Sequence, residues 1–237
     1  MSDSLPFRLP PVDPAAAADV PADVLSPELL SSLLVDGDDE LAAWTLRYAM
    51  AASSRADVYD GILRDAMRIV GENWRAGRWS IAEEHLASRT LMAVLEQLRP
   101  ATTPASRVGP MAVIAGVAGE HHTIGLVCLE QVLTEDGWTV ANLGADLPDT
   151  DLASFVARND VALVALSATE EPRVNALAEA VVAVRVAAGQ RPLAILVGGG
   201  IAYELGIKDR IGVDGVAQDL AEARAFAARH RPADAES

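Results

Sequence analysis

MAVIAGVAGEHHTIGLV, residues 111–127, decides the fold. Its first eight residues are small or branched and apolar without a break, the pattern of a strand buried on both faces. After the turn former Gly119 come Glu120, His121, His122 and Thr123, and from Ile124 apolar residues return at helical spacing. A strand, a short polar crossover and a helix open a unit that must repeat to bury its faces. Toward the C-terminus it does repeat. WTVANLG, DVALVALSA, PLAILVGGG and GVDGVA are Val- and Ala-rich runs separated by helix-length segments at 124–136, 149–158 and 171–188. The alternation predicts an α/β domain, a doubly wound parallel sheet with helices on both faces. Such sheets bind ligands beyond the carboxyl ends of their strands. That rule places Gly119 to Gly125, Ser167 to Thr169 and Gly198, Gly199 and Gly200 on one rim.

Toward the N-terminus the texture changes at PATTPASRVG, residues 100–109, a row of turn formers that reads as a linker. Before it the period is helical. Ser26-Pro27-Glu28 offers an N-cap, a proline at the first helical position and an acid in the first turn. Further helices are expected over Asp39–Ala52 and Asp57–Trp74, the latter with Val58, Ile62, Ala66 and Ile69 on one stripe. Ser80 and Glu83 have capping-box spacing and start a last helix running to Leu98. These segments predict a four-helix bundle. Residues 1–25 mix Pro, Ala and Asp without period and read as a flexible tail. The expected organisation is therefore a tail (1–25), a helical bundle (26–99) and the sheet domain (108–232).

Composition narrows the function classes. With 51% hydrophobic and 22% charged residues the chain reads as globular, and no apolar run approaches the roughly twenty residues of a membrane span. The N-terminus carries no signal-peptide pattern, so the expected location is the cytoplasm. A net charge of −15 argues against direct nucleic-acid binding, because such affinity rests on Lys and Arg neutralising phosphates. The expected partners are a second copy of the chain and another protein. Cys128, the single cysteine, lies inside the apolar pattern LVCLEQVL and reads as a small buried hydrophobe.

The rim residues choose among the functions this architecture can host. A phospho-receiver needs clustered aspartates and a lysine at strand ends, yet the third strand ends in Ser167 and Lys208 follows no strand. A dinucleotide site needs Gly-x-Gly-x-x-Gly opening the first helix, and the crossover here reads GEHHTIG. Glu120-x-His122-x-x-Gly125 instead offers an imidazole able to ligate a metal through one nitrogen while a carboxylate two residues back holds the other. Gly125, without a side chain, lets a flat ligand approach the helix. Read alone, the same residues are solvated loop histidines near a helix N-terminus.

In combination these motifs resemble a known family. Glu120-x-His122-x-x-Gly125 after the first strand, Ser167-Ala168-Thr169 closing the third and Gly198-Gly199-Gly200 closing the fourth look like the cobalamin-binding domain of methionine synthases, corrinoid methyl carriers and light-responsive regulators. NLGADLP and GVDGVAQDLAEA also fit, over about residues 108–230. The resemblance implies a flavodoxin-like domain in which His122 is the lower axial ligand of cobalt and Glu120 its hydrogen-bond partner. Gly119, His121, Thr123, Ile124 and Gly125 would border the corrin. The displaced nucleotide tail would lie beside Ser167, Thr169 and the three glycines.

The bundle extends the resemblance. Trp74, nine intervening residues, then Glu84-His85 is similar to the cap signature of the light-responsive regulators, in which the tryptophan covers the adenosyl group of adenosylcobalamin. Taken singly, Trp74 is also what a core aromatic looks like, and Glu84 what a helix-dipole residue looks like. The resemblance implies a photoreceptor: light breaks the cobalt–carbon bond, the bundle shifts against the sheet domain, and an oligomeric or partner interface changes. Those regulators carry a DNA-binding domain before the bundle, and the acidic N-terminus here does not resemble one, so direct promoter binding is not expected. Arg75 stands where the best-known relatives place a histidine after the tryptophan. His85 is then the histidine offered for the upper cobalt position after photolysis. Three alternatives accompany this reading: a corrinoid methyl carrier, a photoreceptor with an added linear tetrapyrrole such as biliverdin, for which Cys128 is a poor attachment point, and a cofactor-free scaffold that kept the fold.

Overall fold

The computed structural model describes residues 25–101, 109–203 and 206–232. The chain divides after Arg99 into a helical unit and an α/β unit. Nearly all of the expected tail, and residues 102–108 of the expected linker, lie outside the described residues.

The helical unit contains four helical rods. In α1 (Pro27–Asp36) the Ser26 hydroxyl accepts the Leu29 amide at 3.2 Å, and the helix stops at Gly37, whose φ of 78° suits a residue without Cβ. Asp38 caps α2 (Asp39–Met50) by accepting the Leu41 amide at 3.0 Å. The third rod departs from expectation in two ways. It begins at Arg55 rather than Asp57, because Ser54 accepts the Asp57 amide at 3.2 Å, and it passes from α3 (Arg55–Val58) through a π turn (Tyr59–Leu63) into α4 (Arg64–Arg75). Arg55 donates to the Tyr59 hydroxyl at 2.9 Å and the Leu98 carbonyl at 3.0 Å, which pins the wide turn to the end of the last helix.

That last helix, α5 (Ile81–Gln97), opens with the expected capping box. The Ser80 amide donates to Glu83 at 2.6 Å and the Glu83 amide to the Ser80 hydroxyl at 3.4 Å. These bonds hold the Glu83 carboxyl below its ordinary range. Leu30, Leu34, Leu46, Tyr59, Leu91 and Leu95 fill the interior of the unit.

In the α/β unit the elements alternate: β1 (Met111–Gly116), α6 (Ile124–Glu135), β2 (Thr139–Asn142), α7 (Asp149–Arg158), β3 (Val161–Ser167), α8 (Val174–Ala188), β4 (Ala194–Gly198), α9 (Ile207–Ile211), β5 (Gly215–Val216) and α10 (Leu220–Arg229). The strand order is β2-β1-β3-β4-β5, and every pairing is parallel. Pleating sorts the unbroken apolar strands onto two cores. Val113, Ala115, Val164, Leu166, Ile195 and Val197 face Leu152, Val156, Leu177 and Val181 of α7 and α8. Ala112, Ile114, Leu163, Ala165 and Leu196 face Leu126, Leu133 and Phe226 of α6 and α10.

Two elements were not anticipated in full. Helix α9 lies between Gly206 and Gly212, both at positive φ, and is too short for its period to stand out. Strand β5 is confined to two residues of GVDGVA, since the Asp214 carboxylate accepts the Ile195 amide at 2.7 Å where a ladder bond would run. Among the described residues no helix is long and apolar enough to cross a membrane.

Candidate functional site

In this order the connections leave β1 and β3 in opposite directions, so a crevice opens between their carboxyl ends. The loop after β1 carries Glu120 and His122, and that after β3 carries Thr169.

Local hydrogen bonding shapes the first loop. The Gly116 amide donates to the Gly144 carbonyl at 2.9 Å, the Leu147 amide to Gly116 at 3.0 Å and the Asp146 amide to Glu120 at 2.8 Å. The Asp146 carboxylate in turn accepts the Gly119 amide at 2.7 Å. Gly119 has a φ of 79°, and Asp146 is the one described non-glycine residue at positive φ, 55°. The loops after β1 and β2 are thus zipped together, and the chain turns sharply enough at Gly119 to send the Glu120 side chain inward.

Glu120 is 2% exposed and its carboxylate is fully engaged. Oε1 accepts the His122 amide at 2.8 Å and lies 2.5 Å from His122 Nδ1; Oε2 accepts the Thr169 amide at 2.5 Å. Burial by itself raises its pKa, but the bonds from the His122 amide and ring and the Thr169 amide outweigh it, and the carboxyl sits below its ordinary value. An ionised carboxylate only accepts, so Nδ1 carries the proton of the neutral imidazole. The Nε2 lone pair is then directed away from Glu120, on a side chain 69% exposed.

The remaining expected residues of the sheet unit gather at the same rim. His121 and Thr123 are exposed, Ile124 half-buried, and a methyl group added at Gly125 would meet nothing within 4 Å. Neither ring nitrogen of His121 has a hydrogen-bond partner among the described residues, so the doubled histidines differ: His122 is anchored and His121 is not. Ser167, half-buried, closes β3. The Ala168 amide donates to Gly198 at 3.2 Å and the Ile201 amide to Ala168 at 3.1 Å, which draws the β3 and β4 loops together. A Cβ on Gly199 would lie 2.5 Å from the Ala168 carbonyl oxygen, and one on Gly200 would collide with that of Thr169. Both glycines are required by the chain's own backbone, while Gly198 has only the Ala217 carbonyl nearby, at 3.6 Å.

Trp74, Glu84 and His85 form a separate group in the helical unit. Trp74 is in the last turn of α4 and 42% exposed. Glu84 and His85 lie in the first turns of α5, beyond a tight connection in which the Asn73 carbonyl accepts the Arg78 and Trp79 amides at 2.9 and 3.2 Å. Glu84 accepts the Ser88 hydroxyl at 3.0 Å, and the His85 side chain, 70% exposed, stands 3.6 Å from Glu84. Among the described residues no hydrogen bond or ion pair ties Trp74 to either.

Two residues of the rim escaped the sequence reading. Asp146 could have been noticed as an aspartate in the turn sequence NLGADLP, since aspartate tolerates an αL backbone better than most residues. Arg173, whose guanidinium lies against Gly119, has no local signal at all.

The donor set limits what this rim could hold. Among the described residues no group of three or more His, Cys, Asp or Glu could chelate a bare metal ion. A corrin already supplies the equatorial nitrogens, so one oriented imidazole beside an open helix start fits a cobalt corrinoid. A family model described as "B12 binding domain" matches residues 28–99, and a second of the same description matches residues 110–227.

The HTH-type transcriptional repressor CarA of Myxococcus xanthus is 38% identical over 108 residues, which is 46% of this chain and 35% of that protein, so the chain spans about a third of this relative. Dimethylamine corrinoid protein 1 of Methanosarcina mazei is 23% identical over 201 residues, 84% of this chain and 92% of that one. The solved monomethylamine corrinoid protein of Methanosarcina barkeri superposes with a TM-score of 0.68 at 19% identity, covering 88% of this chain and 98% of its own, a likeness of fold. With a sheet of this order, a histidine so held and both units matched, the chain belongs to the cobalamin (B12)-binding domain family.

Proposed function

We propose that this protein is a cobalamin-binding light sensor whose output is a change of oligomeric state or of a protein-partner surface. His122 would hold the cobalt through Nε2, and Glu120 would keep the ring in the tautomer that frees this nitrogen. Ser167, Thr169, Gly198, Gly199 and Gly200 border the nucleotide tail. When bound, an alkylcobalamin such as adenosylcobalamin supplies a cobalt–carbon bond that light can break. Trp74, Glu84 and His85 are the residues that would hold the alkyl group, and His85 would be the imidazole available to the cobalt in its absence.

The observation that carries this reading is Trp74, a large aromatic in the last turn of α4 that is 42% exposed rather than buried in the core. The likeness to CarA supports it. A second reading, a carrier of methyl groups between methyltransferases, is supported by the extent of the likeness to the dimethylamine corrinoid protein, which reaches 84% of the chain.

The purified protein loaded with adenosylcobalamin in the dark, then illuminated, decides between them. The sensor reading expects both absorbance and oligomeric state to change, and stable spectra with a constant oligomeric state would overturn it. A linear tetrapyrrole would announce itself by its own bands in the same spectra.

A further inference from the structure

The partly buried arginines of the described chain have their guanidiniums engaged, with one exception. Arg55 donates to Tyr59 and Leu98, Arg185 to Leu193 and Asp214, Arg191 to Val156 and Asn159, Arg224 to Asp136, and Arg231 to Asp136 and Gly137. Arg173, also half-buried, has no side-chain hydrogen bond or ion pair among the described residues, although Glu170 and Glu171 precede it closely. A guanidinium without a protein acceptor is open to an anion from outside, and in a chain of net charge −15 the carboxylates that could have paired it are plentiful.

Its position points to the kind of anion. Arg173 ends the short turn before α8, and its guanidinium lies against Gly119: a methyl group there would be 2.7 Å from Nη1 and 2.9 Å from Cζ. Gly119 opens the loop that carries Glu120 and His122. The cation therefore stands at the start of that loop, where the β1 and β3 connections meet.

Resting on the cobalamin reading above, we infer that Arg173 binds the phosphodiester of the cofactor's nucleotide loop. The peripheral side chains of a cobalamin are neutral amides, and the phosphodiester is its one peripheral anion. On that reading the nucleotide would lie along this rim beside Ser167 and Thr169, and Arg173, four residues after Thr169, would supply the countercharge for its phosphodiester. Arginine is suited to two parallel hydrogen bonds with phosphate oxygens.

Equilibrium absorbance titration of wild type, Arg173→Gln and Arg173→Lys with three corrinoids tests this: cobalamin, cobinamide phosphate (phosphate but no base) and cobinamide (neither). Arg173→Gln is expected to weaken cobalamin and cobinamide phosphate by about tenfold to a hundredfold while leaving cobinamide unchanged, with Arg173→Lys recovering part of the loss. Equal losses on all three corrinoids, a loss on cobalamin alone, or no loss would each overturn the inference. An apo-protein melting temperature lowered by Arg173→Gln, together with uniform losses, would assign the residue to holding the Gly119 loop. If wild type binds none of the three, the cobalamin reading itself falls, and the inference with it.

Discussion

The sheet rim and the turn end of the helical unit are built on opposite terms. At the rim, Glu120 is buried and both of its oxygens are engaged, which fixes the direction of the His122 ring. At the α4–α5 turn, Trp74 and Ile81 are exposed and His85 reaches only Glu84, loosely. One region is finished by the fold and the other is left to be finished by something else.

The largest expected effect breaks the rigid side. His122→Ala should abolish the histidine-ligated spectrum of bound cobalamin and His121→Ala should largely keep it; the reverse would place the ligand one residue earlier. Next, Gly200→Ala drives a methyl into the Thr169 carbonyl, and a loss of about 1–3 kcal/mol in denaturant unfolding is expected. Gly125→Ala, which meets nothing within 4 Å, should leave apo stability nearly unchanged and so show that the two rim glycines serve different ends.

Glu120→Gln keeps the shape but not the charge, and a loss of about tenfold to a hundredfold in cobalamin affinity is expected by titration. The same carboxyl gives a pH signature. Its folded pKa is lowered, so its stabilising effect is complete above the ordinary carboxylate range and disappears as pH falls through the lowered value. Unfolding free energy in wild type should therefore decline with acid over that window more steeply than in Glu120→Gln. The smallest effect on the fold comes from the loose side: Trp74→Ala should alter the melting temperature little and the rate of photolysis of bound adenosylcobalamin clearly.

Much of the fold was legible because each signal was local. Unbroken apolar runs marked strands covered on both faces, and Ser26, Ser80 and Glu83 marked helix starts through hydrogen bonds three residues long. The contact between Glu120 and His122 was legible for the same reason, being two residues apart. What escaped was long-range or backbone in origin. Nothing in the sequence ties Thr169 to Glu120 across 49 residues, or places Arg173 over Gly119. The π turn at Tyr59–Leu63 depends on Arg55 reaching Leu98, 43 residues away, which no helical period reveals.

Glu120 serves two clients, and that has a mechanical consequence. Its two oxygens lie on one rigid carboxylate group, so a pull on the His122 ring that drags Oε1 also drags Oε2, and the Thr169 amide feels it at the end of β3. A lengthened or shortened bond to the imidazole is thus converted into tension on a neighbouring strand. The Thr169 amide resonance would serve as a strain gauge for the His122 ring, readable 47 residues away from it.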